Sequence, residues 1–213
     1  LNFGKLNLVN SSTQCPKIQA NVTIGIADNL IPNFQNTEYI NLTRYKLMMS
    51  NLQPQSHKFE STNYFQFEAD FVGSLQCIPM QVRMKLDNCG VKLKLAHWNQ
   101  LSQIERHALV DMPCTDQAEC QIYRQFLQNL ITVKTGQPAQ KLAINPNPPW
   151  LDDTNIPSSV VEKAQECQVN LSLEQWSNLT PVQRFAVIKL SRPSHENKNF
   201  IPALQEFGVL SIN

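Results

Sequence analysis

A chain of 213 residues with 42% apolar side chains has enough hydrophobic surface for one sizeable core or two small ones, which excludes a disordered chain. Its 18 basic and 17 acidic residues leave a net charge of +1, so the charge balance gives no reason to expect nucleic acid or anionic lipid as a partner. No apolar run approaches the roughly 20 residues that cross a bilayer and no secretory leader pattern opens the sequence, so a cytoplasmic protein without membrane contact is expected. Six cysteines, Cys15, Cys77, Cys89, Cys114, Cys120 and Cys167, are spaced too irregularly for a disulfide framework and are expected to be reduced.

Residues 1–48 carry eight asparagines, few charges and no sustained apolar period. Met48-Met49-Ser50 offers an initiation point, so the functional protein is expected to start at Met48 or Met49, with residues 1–62 forming a poorly ordered extension. Asn-x-Ser/Thr triplets beginning at Asn10, Asn21, Asn41, Asn170 and Asn178 read as incidental in an Asn-rich chain. From Tyr64 the pattern changes: Phe65, Phe67, Ala69 and Phe71 alternate with Gln66, Glu68 and Asp70. That period of two predicts a short extended aromatic arm, which either lies on a helical core or presents an aromatic groove to a partner.

Gly73 breaks the run. Cys77-Ile78-Pro79-Met80 reads as the start of a helix, because proline is tolerated in a first turn where its missing N–H has no intrahelical partner. Val82, Leu86 and Cys89 follow at helical spacing as far as Gly90, whose left-handed freedom ends the helix. A short extended piece leads to a second short helix over Leu95 to Leu101, with Trp98 inward. Ser102-Gln-Ile-Glu105 has the form of a capping box and opens a third. Thr115-Asp116 caps a longer helix with Ile122, Tyr123, Phe126, Leu127, Leu130 and Ile131 on one stripe, ending before Gly136. Pro138, Pro146, Pro148, Pro149 and Pro157 make residues 137–157 a Pro-rich linker. Beyond it, helices are predicted from Ser158 to Cys167, around Leu173 and Trp176 behind Ser172-Leu-Glu-Gln175, from Pro181 to Leu190 behind Thr180, and from Phe200 to Phe207 with Pro202 in its first turn.

The stretch from Val82 to Met112 occurs twice. Displaced by 78 positions it coincides with Val160 to Leu190 at ten residues, including Cys89/Cys167, Trp98/Trp176 and Arg106/Arg184, where chance supplies roughly two. The predicted fold is therefore all-α. Two related helix-turn-helix-containing repeats, residues 63–136 and 158–213, pack as a helical bundle, with the aromatic arm before the first.

Thiolates in fours hold zinc or iron–sulfur clusters, but such sites usually contain pairs about two to four residues apart, and the nearest pair here is Cys114 and Cys120. Cys89 and Cys167 occupy matching positions and read as small buried apolar residues, with an iron–sulfur or redox-active protein as an alternative. Cys77 stands where a helix dipole favours a thiolate. His97, His107, Glu105 and Asp111 have acid–base chemistry but no partner at catalytic spacing. No Gly-rich phosphate loop, nucleophile elbow or paired-histidine motif accompanies them, so neither an enzyme nor a bound metal or cofactor is predicted. Trp98 and Trp176 read as core anchors rather than binding platforms. Arg106 and Arg184 either recognise an acidic partner or bond to the carbonyls of helix ends. The helix-turn-helix units leave a DNA-binding regulator as a further alternative, against which the near-neutral charge speaks.

The run from Phe65 to Leu93, with Cys77-Ile-Pro-Met80 and Asp87-Asn-Cys-Gly90 as its distinctive cores and continuing through Trp98 and Arg106, resembles the nitrate reductase-associated protein family of cyanobacteria. The similarity spans about residues 63 to 210. It implies an accessory protein needed for active assimilatory nitrate reductase, with the nitrate reductase apoenzyme as partner and a role in maturation, through insertion of the molybdopterin guanine dinucleotide cofactor. That cofactor and an iron–sulfur cluster belong to the client, and the resemblance supplies no catalytic residues. Features that the two copies do not share mark the candidate partner site: Phe67, Phe71, Cys77, Pro79, Met80, Arg83 and Asp87.

Overall fold

The computed structural model describes residues 64–210; the expectations placed on residues 1–62, including a start at Met48 or Met49, lie outside the described residues. Helix α1 (Ala69–Val72) is a single turn that follows a 3-10 turn over Gln66–Glu68. Helix α2 (Met80–Cys89) starts behind Pro79, which is extended at φ −61° and ψ 152°, and stops at Gly90, which turns left-handed at φ 67°. Strand β1 (Val91–Lys92) pairs antiparallel with β2 (Gln140–Lys141), Val91 opposite Lys141 and Lys92 opposite Gln140. Between them run α3 (Leu95–Trp98), α4 (Gln103–Asp111) and α5 (Gln117–Thr135). After them come α6 (Ser158–Glu166), α7 (Leu173–Ser177), α8 (Pro181–Leu190), a 3-10 turn over His195–Asn199, and α9 (Phe200–Glu206). The described residues are thus mostly helical, with nine α-helices and one two-stranded ribbon.

The helix starts follow from local chemistry. Ser102, Asp116, Ser172 and Thr180 each accept a hydrogen bond from the amide three residues on, while Glu105, Glu119, Gln175 and Gln183 reach back to the capping residue. Helices α2, α3 and α4 start at Met80, Leu95 and Gln103, and α6, α7 and α8 start 78 positions later, at Ser158, Leu173 and Pro181.

Two apolar clusters form, and α2 belongs to both. Its Val82, Leu86 and Cys89 pack with Trp98, Leu109, Tyr123, Leu127 and Ile131. Its Met80 and Met84 pack instead with Trp150, Trp176, Phe185, Phe200 and Leu204. Helix α2 accordingly touches α5 on one side and α8 on the other. The Pro-rich stretch is built into this arrangement. Trp150 is buried, its carbonyl accepts from Arg184 Nε at 2.9 Å, and the Asp152 carbonyl accepts from Trp176 Nε1 at 3.0 Å.

The extended aromatic arm is corrected by the structure: residues 66–72 are helical. Carboxylates decide this. Glu68 reaches back to the Phe65 amide, and Glu206 of α9 accepts from the Gln66 and Phe67 amides at 2.7 and 3.2 Å, so the free donors of the first turn find acceptors without a strand partner. Phe65 and Phe67 still fall close together, stacked at 5.2 Å, and both meet Phe207.

Candidate partner-binding site

The residues singled out as a partner site lie along the start of α2 and the turns before it, and the structure gives most of them internal work. Glu68, 3% exposed, is the hub: its Oε1 accepts from the Met80 amide at 2.8 Å and its Oε2 from the Phe65 amide at 3.3 Å. One carboxyl group therefore satisfies an amide at the start of two helical segments. Burial pushes its pKa from 4.5 up to about 7, and the nearby Glu206 carboxylate adds to the rise, while the two amides and the Arg83 guanidinium oppose it. Tyr64 is pushed up to about 12 by burial, then by Asp111 and Glu68.

Around this hub Pro79 and Met80 are buried, whereas Phe67, Phe71, Cys77, Arg83 and Asp87 are half-buried. Phe67 lies against Phe207, and Arg83 Nε donates to the Ile78 carbonyl at 2.9 Å. Asp87 forms an ion pair with Lys189 of α8 at 2.8 Å, on the seam between the two clusters. Of the seven, Phe71 and Cys77 have half-exposed side chains flanked by exposed residues, Asp70 and Gly73 near the first and Gln76 beside the second.

The paired arginines take the second of their two readings. Arg106 donates to the carbonyls of Trp98 and Asn99 at the end of α3 and to those of Ser74 and Leu75. Arg184 donates to the Ser177 carbonyl at the end of α7 and to that of Trp150. Each guanidinium closes a short tryptophan-bearing helix by filling carbonyls that the helix itself leaves open.

Sequence reasoning missed Glu68, Glu206, Lys189 and Lys85. Glu68 sits in the alternating run, where period two assigns it to the solvent side. Lys85 is half-buried, donates to the Val110 and Met112 carbonyls at 2.5 and 2.6 Å, and has its pKa lowered by burial. The partners that give them these roles lie farther along the chain: 12 positions from Glu68 to Met80, 25 from Lys85 to Val110, 102 from Lys189 to Asp87 and 140 from Glu206 to Gln66.

The acid–base candidates do not assemble. Glu105 serves its capping box and pairs with Lys134 at 3.3 Å, and Asp111 is exposed. His97 has a buried Nδ1 without a hydrogen-bond partner among the described residues, and it lines a cleft of about 300 Å³ with Lys92, Lys94, Thr135, Gln137 and Gln140. That lining holds no carboxylate. Among the described residues no group of three or more His, Cys, Asp or Glu side chains is arranged to hold a metal ion, and no helix is long and apolar enough to cross a membrane.

A protein mostly helical over its described residues, with residues 65–67 clasped to Glu206 and Phe207 at the end of α9, is the class that this geometry defines. The chain belongs to the family of conserved nitrate reductase-associated proteins, whose family model matches residues 64–207 and so takes in the whole seam from Tyr64 to Phe207. No curated protein and no solved structure matches the chain at a significant level.

Proposed function

We propose that the protein is a cytoplasmic accessory factor for assimilatory nitrate reductase, not itself an enzyme, which binds the apoenzyme and assists insertion of its molybdenum cofactor. The observation that carries this reading is the family match, which spans the two clusters and the seam between them. The molybdopterin guanine dinucleotide and the iron–sulfur cluster belong to the client. Within the chain, α2 to α4 and α6 to α8 are two copies of one helix-turn-helix unit used as a scaffold, and the client site lies where the copies differ. Phe71 and Cys77 supply the contact, and Phe67, Pro79, Met80, Arg83 and Asp87 position it from beneath. Half-exposed aromatic and thiol groups over a rigid helix start suit an anchor on a protein partner.

The test is made in the native host grown on nitrate. Deletion of the gene should leave nitrate reductase polypeptide present but with lowered activity and lowered molybdenum per polypeptide. Normal activity and molybdenum content would overturn the reading. A Phe71→Asp variant should keep the thermal midpoint of the wild type within a few degrees, because the ring is only half-buried, yet lose co-purification with the apoenzyme. Co-purification at wild-type level would move the client site elsewhere.

A further inference from the structure

Three thiols converge where α2, the loop before α5 and the first turns of α5 meet. Cys114 Sγ lies 3.2 Å from Cys120 Sγ, and Cys89 of α2 is buried with Cys114 in the same apolar cluster. Cys114 Sγ further contacts the Lys85 carbonyl at 3.6 Å, so the sulfur is held from α2 and from α5 together. Cys89 and Cys114 are 2% and 3% exposed, whereas Cys120 is half-buried. A disulfide places its sulfurs about 2.05 Å apart, an approach of about 1 Å from the distance seen here.

We infer that Cys114 and Cys120 form a thiol–disulfide exchange site, with Cys120 as the sulfur that meets the oxidant and Cys114 as the one that resolves the adduct. The oxidant is a small-molecule disulfide. In the first step the Cys120 thiolate attacks one of its sulfurs, forms a mixed disulfide and releases a thiolate, which takes up the proton that Cys120 lost. In the second the Cys114 thiolate attacks the Cys120 sulfur of the mixed disulfide, and the second small thiol leaves with the proton from Cys114. Two protein thiols are oxidised and one small disulfide is reduced to two thiols. Exposure assigns the order, since Cys120 is the more accessible sulfur of the pair.

The closed ring would enclose residues 115–119, among them Asp116, which caps α5 through the Glu119 amide at 2.8 Å, and would fix the corner that Lys85 holds through the Val110 and Met112 carbonyls. Burial pushes Cys120 up to about 12, and its contact with Cys89, then burial, raises Cys114 further. Closure should therefore accelerate about tenfold per pH unit between pH 7 and pH 9, as the thiolate fraction grows.

The experiment treats full-length protein with oxidised glutathione, alkylates the remaining thiols and maps the peptides by mass spectrometry. Wild type should lose two alkylatable thiols and yield a Cys114–Cys120 linked peptide without glutathione. Cys114→Ser should stop at a glutathione adduct on Cys120, and Cys120→Ser should leave Cys114 alkylatable. A stable adduct on Cys120 of the wild type, a bond joining a different pair, or free Cys114 and Cys120 while Cys77 or Cys167 reacts would each overturn the assignment. The wild-type map decides the matter even if a variant folds poorly.

Discussion

Glu68 shows how far one side chain governs this fold. Its carboxyl group is buried, accepts from two helix-start amides and has a pKa raised from 4.5 to about 7. Because the folded value lies above the unfolded one, the folded state holds the proton more tightly. The associated stability is complete below pH 4.5 and is lost as pH rises through about 7. A shift of this size corresponds to about 3 kcal/mol at most. Urea denaturation followed by circular dichroism should show wild-type stability falling by about 2 kcal/mol between pH 5 and pH 8. Glu68→Gln keeps an acceptor for the Met80 amide and carries no charge, so its curve should be flatter across that window. A wild-type curve that rises there, or a variant with the same slope, would contradict the account.

At the scale of an element, the C-terminus of α2 differs from that of α5 although both end on a left-handed glycine. A Cβ at Gly90 would stand 2.7 Å from Ile144 Cγ1 and 2.8 Å from the Leu142 carbonyl oxygen, whereas one at Gly136 would meet nothing within 4 Å. Leu142 donates its amide to the Gly90 carbonyl, so the clash falls on backbone already held in place. Gly136→Ala should cost about 1 kcal/mol, from the unfavourable φ alone. Gly90→Ala should cost about 2 to 4 kcal/mol, because close packing against fixed backbone is added. Comparison of urea midpoints for the two variants checks this, and equal costs would show that the β2 side of the contact yields freely.

For the whole molecule, the two clusters are coupled through α2, which carries residues of both, and through the Asp87–Lys189 pair, while the clasp of Phe65 and Phe67 on Phe207 closes the second cluster. The described residues 64–210 belong to one compact unit. Heat should therefore unfold both clusters together, giving one calorimetric transition whose van't Hoff and calorimetric enthalpies agree. Phe207→Ala removes the ring on which the clasp closes and should lower stability by about 2 kcal/mol, at the low end for an aromatic truncation because the site is half-buried. The transition should stay single. Two resolved transitions in the wild type would mean that α2 does not couple the clusters.

Helix ends were legible in the chain because caps act between residues a few positions apart. Ser102 with Glu105, Thr180 with Gln183, Pro79 before α2 and Gly90 after it carry their geometry in local chemistry. Helices α6, α7 and α8 begin at Ser158, Leu173 and Pro181, behind Pro157 and the caps Ser172 and Thr180. The aromatic segment was not legible. Alternation at Phe65, Phe67 and Phe71 has the period of a strand, but the acceptors that make its turn helical include Glu206, 140 positions from Gln66. The same holds for Asp87 and Lys189, 102 positions apart, and for the seating of Met80 in one cluster while Val82 enters the other. By itself, then, the sequence determined the helices from α2 onward and most of their ends, since those depend on neighbours along the chain, although α3 stops at Trp98 rather than at Leu101. Only the tertiary structure decided the conformation of residues 65–72, the buried role of Glu68 and the approach of Cys114 to Cys120. Those depend on groups that meet after the helices have packed.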